Sequence, residues 1–359
     1  MTLRFGLVGH GYAGRTIHAP LIAGVPGLAL TVVASHDAAA VHAAWPGAEV
    51  VATPEALVLH PGVDVVVIAA PNRTHHPIAR AAIAAGKHVV VDKPFTLTLA
   101  EALELEQFAR LHGRVLSVFH NRRWDGDFLT LRGLLDAGTL GRIVHVESHV
   151  DRFRPQVRER WRESGEPGAG LWYDLGPHLV DQAVQLLGWP RAITLDLATL
   201  REGGRSDDWF HAQLHYDGAR ATLHASMLAA AAAGLRYAVH GTQGSFVKHG
   251  MDRQEDALKA GARPAWPHAV DWGLDDGAAT LTIARGDTLG TAACPLLAGR
   301  WGDYYAALRD TIETGAPNPV PASEACAVMA LLESGLASAR TRRTVDIQPW
   351  GTAGTGPLI

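Results

Sequence analysis

A glycine-spaced hexapeptide close to the start of the chain, Gly9-His10-Gly11-Tyr12-Ala13-Gly14, limits the fold more than any other stretch. It follows Leu3-Arg-Phe-Gly-Leu-Val8, an apolar run suited to a buried parallel strand, and precedes a segment with Ile17, Leu21 and Ile22 that can begin a helix. In such a strand–turn–helix Gly9 permits the tight bend and Gly11 lets the backbone approach a pyrophosphate. Gly14 lets helix pack on strand, with the helix N-terminus turned toward the phosphates. Alone the spacing is weak, since a structural glycine turn reads the same. A second apolar strand at residues 28–34 follows at βαβ distance, so the whole pattern describes a dinucleotide cradle with Tyr12 and Ala13 in its loop.

At the end of the second strand a site preferring NAD carries an acidic side chain for the ribose 2'-hydroxyl. This chain has Ser35-His36-Asp37 there. If Ser35 takes the acidic position, a hydroxyl and an imidazole meet a 2'-phosphate and NADP is preferred. If Asp37 reaches the ribose instead, NAD is preferred. The expectation is NADP.

A chain of 359 residues is too long for one ordinary core and suits two domains. The net charge of -4, a pI near 6.5 and the lack of a basic stripe exclude nucleic acid and anionic membrane as expected partners. The two cysteines, Cys294 and Cys326, have no paired spacing, and the 19 histidines show no pattern such as H-E-x-x-H. No metal is therefore expected. The sequence enters the first strand without a charged leader and long apolar core, and its most apolar later stretch, 226–234, is too short to span a bilayer, so a cytoplasmic enzyme is expected.

Up to residue 123 strands and helices alternate: strands at 63–70, 87–91 and 114–119, helices at 77–86 and 99–112. This is the grammar of a doubly wound parallel sheet, an α/β Rossmann domain over 1–123. Ligands of such a sheet gather at the C-terminal strand ends, here Pro71-Asn72, Asp92-Lys93-Pro94 and His120-Asn121-Arg122-Arg123. From 124 to 348 strand-like alternation recurs at 142–150, 193–200, 211–216, 219–226, 235–241 and 279–283 with few helices between. The expectation is an α+β domain with a mainly antiparallel open sheet, interrupted by a helix after Asp174 and closed by one over 323–340. The Gly/Pro-rich tail from 349 reads as loose.

Asp174-Leu-Gly-Pro-His178 sets a carboxylate and an imidazole one helical turn apart. Alone, the pair reads equally as a helix cap and a satisfied core histidine. Beside a dinucleotide cradle it suggests an enzyme that moves a proton along with a hydride.

These landmarks resemble the glucose-fructose oxidoreductase and inositol dehydrogenase family, Gfo/Idh/MocA. The resemblance rests on the glycine motif, Ala70-Pro-Asn72 with His75, Asp92-Lys-Pro94 where Glu-Lys-Pro is more usual, Trp161-Arg162, and the Asp174/His178 pair. Residues 121–128, 173–182, 240–245 and 254–256 look most like its NADP-dependent scyllo-inositol dehydrogenase branch. The resemblance implies an NAD(P)-dependent dehydrogenase acting on a secondary alcohol of a cyclitol or sugar. His178 is then the base for the hydroxyl proton, Lys93 polarises the same oxygen, and Asp174 holds a substrate hydroxyl or fixes the imidazole. It also implies cofactor contacts from Pro71, Asn72, His75, Trp161 and Arg162, substrate contacts from Asn121 and Arg123, and a cis peptide before Pro94. A histidine titrating near neutrality can accept the proton and return it, and a nearby ammonium stabilises developing alkoxide.

Two other readings stay open: a sugar-processing enzyme whose tightly held nicotinamide is a transient oxidant, and a non-catalytic dinucleotide sensor. Retention of both Lys93 and His178 argues against the sensor. Apolar side chains on both faces of the strands over 211–226 and 235–241 predict sheet pairing in a homodimer or a homotetramer.

Overall fold

The computed structural model describes residues 2–231 and 233–350. Two compact units emerge: Met1–Trp124 with Arg253–Gly273 and Arg300–Cys326, and Asp125–Asp252 with Leu274–Gly299 and the chain from Ala327. The first break lies one residue from the expected boundary. The expectation of an uncut second domain is corrected, because residues 253–273 and 300–326 return to the first unit.

The first unit is built on β1 (Leu3–Val8), α1 (Ala19–Gly24), β2 (Leu28–Ala34), α2 (Ala38–Ala44), β3 (Glu49–Val51), α3 (Pro54–Val58), β4 (Val65–Ile68), α4 (His75–Ala84), β5 (His88–Asp92), α5 (Leu99–Leu111) and β6 (Leu116–Phe119). The six strands pair in parallel in the order β3-β2-β1-β4-β5-β6. β4 and the valines of β5 are fully buried, as unbroken β-branched runs covered on both faces should be. Helix starts are encoded locally. Asp37 caps α2 and Thr53 caps α3, while Thr98 and Glu101 form a reciprocal capping box on α5.

The second unit holds α6 (Gly126–Asp136), β7 (Ile143–Asp151), α7 (Leu171–Leu187), β8 (Ala192–Ala198), β9 (Trp209–His215), β10 (Arg220–Ser226), β11 (Leu235–Gly241) and β12 (Gly244–His249). After α8 (Gln254–Lys259) of the first unit come β13 (Ala279–Arg285) and β14 (Thr288–Ala293). The chain continues through α9 (Gly302–Thr314) of the first unit, α10 (Ala322–Thr341) and β15 (Val345–Asp346). Nine strands form one sheet in the order β14-β13-β12-β11-β7-β10-β9-β8-β15. Every neighbouring pair is antiparallel except β7 and β10, so the sheet is mixed and mostly antiparallel.

α7 lies on β7, β9 and β10 and is buried almost all round. Trp172 stands edge-on to Phe210 with ring centres 5.0 Å apart, and its indole N–H donates to the Leu332 carbonyl at 3.1 Å. A Cβ at Gly176 would press on the Trp172 ring at 2.8 Å, so α7 needs glycine there.

The two faces of this sheet differ in a way that corrects the expectation of apolar side chains on both. Phe210, Ala212 and Leu214 of β9, Leu223 and Ala225 of β10, and Tyr237 and Val239 of β11 are all buried. The alternate positions carry His211, Gln213, Thr222 and His224, joined by His145, Glu147, His149 and Asp151 of β7. Phe210 shares the parity of Ala212 and Leu214, so it belongs with them and not among the histidines. An apolar patch on the outer face is therefore no basis for assembly. Trp350 packs on Trp189 at 5.3 Å, while the rest of the expected loose tail, 351–359, lies outside the described residues.

Candidate active site

In the glycine loop each glycine has its own reason. Gly9 adopts φ +94°, and a Cβ on it would stand 2.6 Å from the Ala69 carbonyl. A Cβ on Gly14 would collide with the Gly9 carbonyl, whereas a Cβ on Gly11 would meet nothing within 4 Å. Two glycines thus close the turn and the third leaves its outer side open, which fits the approach of a pyrophosphate. Gly9 N–H donates to the Ala34 carbonyl at 3.2 Å, tying the loop to the last residue of β2. Ser35 is the next residue. Asp37 is committed elsewhere, its carboxylate accepting the Ala40 amide at 2.9 Å to cap α2, and its own amide donates to Ser35 Oγ at 3.1 Å. His36 is exposed and Ser35 half-buried. Ala13 opens the helical turn that contains Gly14.

The exposed Tyr12 is held from a distant part of the sequence. Its hydroxyl donates to Glu255 Oε1 at 2.6 Å, and Arg122 Nη2 donates to the other oxygen of the same carboxylate at 2.9 Å. Arg123 donates to Glu324 at 2.5 Å. Arg123 thus carries an ion pair within the first unit, and Asn121, two residues earlier, is buried. Glu255 and Glu324 were missed as partners, although residues 254–256 already stood out as a motif.

At the ends of β4 and β5 a buried histidine joins two turns. His75 Nδ1 lies 2.8 Å from the Pro94 carbonyl and Nε2 lies 3.0 Å from the Ala70 carbonyl. His75 has no exposed surface, and its ring sits between the two carbonyls, so it ties the turn after β4 to the turn after β5. Burial holds its pKa below the ordinary value, with Asp92 pulling the other way. Asn72 is buried at the start of a short 3-10 turn, with Pro71 before it. The Lys93–Pro94 peptide is cis and Lys93 is half-buried.

Asp92, buried just before Lys93, caps the Lys93 amide at 2.9 Å. Burial opposes its charge, but His18, Lys93 and His75 outweigh that and hold its pKa at about 2. His18 Nε2 is 3.8 Å from Asp92, its Nδ1 is 2.6 Å from the Tyr305 hydroxyl, and its ring lies against Phe119. This buried chain of Tyr305, His18 and Asp92 has no signal in the local sequence, since Tyr305 arrives on a returning segment.

In the second unit Asp174 and His178 lie one turn apart on α7, with His178 only 5% exposed. The helix starts at Leu171, not after Asp174 as expected, because Asp207 supplies its start. Leu171 N–H donates to the Asp207 carbonyl at 2.8 Å, and Trp172 N–H to its carboxylate at 2.7 Å. Gly170, at φ +96°, leaves room for that carboxylate. Burial pushes the Asp207 carboxyl up to about 6. Arg162 Nε stands 3.4 Å from Asp174 and its guanidinium stacks 4.5 Å over Trp161. Trp161 and Arg162 therefore adjoin Asp174 within this unit.

Residues 3–120 match the family model described as "Oxidoreductase family, NAD-binding Rossmann fold", and residues 132–347 match "Oxidoreductase family, C-terminal alpha/beta domain". The chain belongs to the Gfo/Idh/MocA oxidoreductase family. Among its relatives in that family, YdgJ of Escherichia coli, an uncharacterized oxidoreductase, is 54% identical over 96% of this chain and 98% of its own. The Bacillus subtilis scyllo-inositol 2-dehydrogenase (NADP(+)) IolW is 36% identical over 97% and 96%. A solved Bacillus cereus oxidoreductase superposes with a TM-score of 0.86 at 32% identity over 97% and 99% of the two chains. As a Gfo/Idh/MocA member the chain is a nicotinamide-binding oxidoreductase. No helix among the described residues is long and apolar enough to cross a membrane.

Proposed function

We propose that this oxidoreductase is an NADP-dependent dehydrogenase of a cyclitol or sugar secondary alcohol, with scyllo-inositol and its 2-keto form as the leading pair. The observation that carries the cofactor preference is the end of β2. Ser35 follows the residue bonded to the glycine loop, and Asp37 is committed to capping α2. A neutral hydroxyl and the exposed His36 suit a 2'-phosphate better than a carboxylate would. The name of the relative IolW supports the same substrate and cofactor.

When bound, a nicotinamide supplies or accepts the hydride at the carbinol carbon. The chain's own residues handle the proton and the charge. His178 takes the hydroxyl proton on a ring nitrogen and returns it in reduction, the ammonium of Lys93 favours negative charge on the carbinol oxygen, and Asp174, already beside Arg162, orients a neighbouring hydroxyl. Asp92 and His75 keep Lys93 in place. A spectrophotometric screen of inositols and aldoses with NAD and NADP tests this reading. Cyclitol oxidation that is faster with NADP is expected. Activity confined to substrates without a secondary alcohol would overturn it.

A further inference from the structure

On the outer face of the nine-stranded sheet, three metal-binding side chains meet at a point the proposed dehydrogenase chemistry does not use. His149 and His224 are direct partners in the parallel pair of β7 and β10, and Asp151 follows two residues after His149 on the same face. That face is turned away from α7. Ser148, which precedes His149 on β7 and so points to the opposite face, accepts from Arg236, which also donates to Gln182 on α7 at 2.7 Å. One ligand atom from each of His149, Asp151 and His224 lies within 4.8 Å of the other two, and among the described residues no other trio of His, Cys, Asp or Glu does so.

The separations are those of ligands around an ion more than those of partners to each other. His224 Nε2 is 3.4 Å from Asp151 Oδ1, and His149 Nδ1 is 3.8 Å from Asp151 Oδ2. Asp151 Oδ1 is buried yet makes no hydrogen bond. Tetrahedral ligands bonded at 2.0–2.1 Å stand about 3.3 Å apart, so a modest inward rotation of the rings closes the set. The second nitrogen of His149, Nε2, stands 3.3 Å from Glu147 Oε2 and is also buried. A carboxylate behind a ligating imidazole is the arrangement that orients histidine ligands of zinc. Trp209, edge-on to His224 at 5.5 Å, walls one side. Each of the three side chains keeps about a sixth of its surface exposed, leaving an ion a way in.

We propose that His149, Asp151 and His224 form a binding site for a divalent cation of the zinc class, with Glu147 orienting His149 and at least one coordination position left for water. Two imidazoles with one carboxylate favour zinc over magnesium or calcium, which prefer all-oxygen shells. The ion would join two strands distant in sequence and stabilise the central parallel pair of the sheet.

The test uses full-length, tag-free protein stripped with chelator and titrated with zinc chloride against a chromophoric competitor. One ion per chain is expected, together with a higher melting temperature that EDTA reverses. His224→Ala and Asp151→Asn should each weaken binding by ~10-fold or more, Glu147→Gln should weaken it less, and His211→Ala on the same face should leave it unchanged. Zinc K-edge absorption of the loaded wild-type protein needs no variant and should report two imidazoles. Absence of stoichiometric binding, unchanged binding in both ligand variants, or a shell with fewer than two imidazoles overturns the proposal. None of these readouts depends on the substrate, so they can fail independently of the dehydrogenase reading.

Discussion

Replacing Asp207 with asparagine should make the protein's stability less sensitive to pH. Asp207 begins the helix that carries Asp174 and His178, taking the Trp172 amide on its carboxylate. Burial raises that carboxyl to about 6, and the amides of Trp172 and Leu171 pull it down without winning. In the unfolded chain an aspartic acid titrates near 3.9. The folded state therefore holds this proton more tightly, so the group's contribution is fully present below about pH 4 and is lost as pH rises through about 6. A two-unit difference corresponds to about 3 kcal/mol over the full range, of which about 1.4 kcal/mol falls between pH 5 and pH 8. Asparagine keeps an oxygen for the Trp172 amide and has no charge to desolvate, so the variant should gain on wild type by that amount over that interval. Urea midpoints measured from pH 5 to pH 8 provide the comparison. A difference that stays flat with pH, or a wild type that gains on the variant as pH rises, refutes the reasoning. Asp207→Ala serves as the control: it should lie about 1 kcal/mol below the asparagine variant at every pH, because the Trp172 amide then has no acceptor.

Two further outcomes bear on the chemistry. Lys93→Ala and His178→Ala should each lower turnover ~100-fold or more while cofactor affinity and melting temperature change little, and near-normal turnover in both would sink their assigned roles. Ser35→Asp should set a carboxylate against a 2'-phosphate and move the ratio of NADP to NAD specificity constants ~10-fold or more toward NAD; an unchanged ratio would place the ribose elsewhere.

What could be read from the sequence was what neighbouring residues encode together. The strand–glycine–helix start, the boundaries of β1 and β2, and the helical spacing of Asp174 and His178 all follow from local pattern, and the structure keeps them. Partners brought by distant segments were not legible. Glu255 reaches Tyr12 and Arg122 across more than a hundred residues, Glu324 reaches Arg123, and Tyr305 reaches His18. α7 begins three residues before Asp174 because its first amides are satisfied by Asp207, far downstream. The grouping of His149 with His224 depends on the register of a parallel pair, which no spacing within either strand reveals. Which face each apolar side chain of β9 and β10 takes also depends on the register of these two strands, which sets Phe210, Ala212, Leu223 and Ala225 together on one side and leaves the outer face polar.

The segmented first unit also sets an order of events during synthesis. β6 is the edge strand of its sheet, and its free side is taken up late: Val118 N–H donates to the Val320 carbonyl, and Ser117 bridges to Pro321. The aromatic layer over Phe119 and His18 is completed by Tyr304 and Tyr305. When only the first 124 residues have emerged from the ribosome, the sheet therefore has its β6 edge still bare and part of one face uncovered. Both features invite pairing with another nascent chain. Folding from the N-terminus can begin there but cannot finish until residue 321 has emerged, by which time the nine-stranded sheet is nearly all available. The two units are thus committed to maturing almost together.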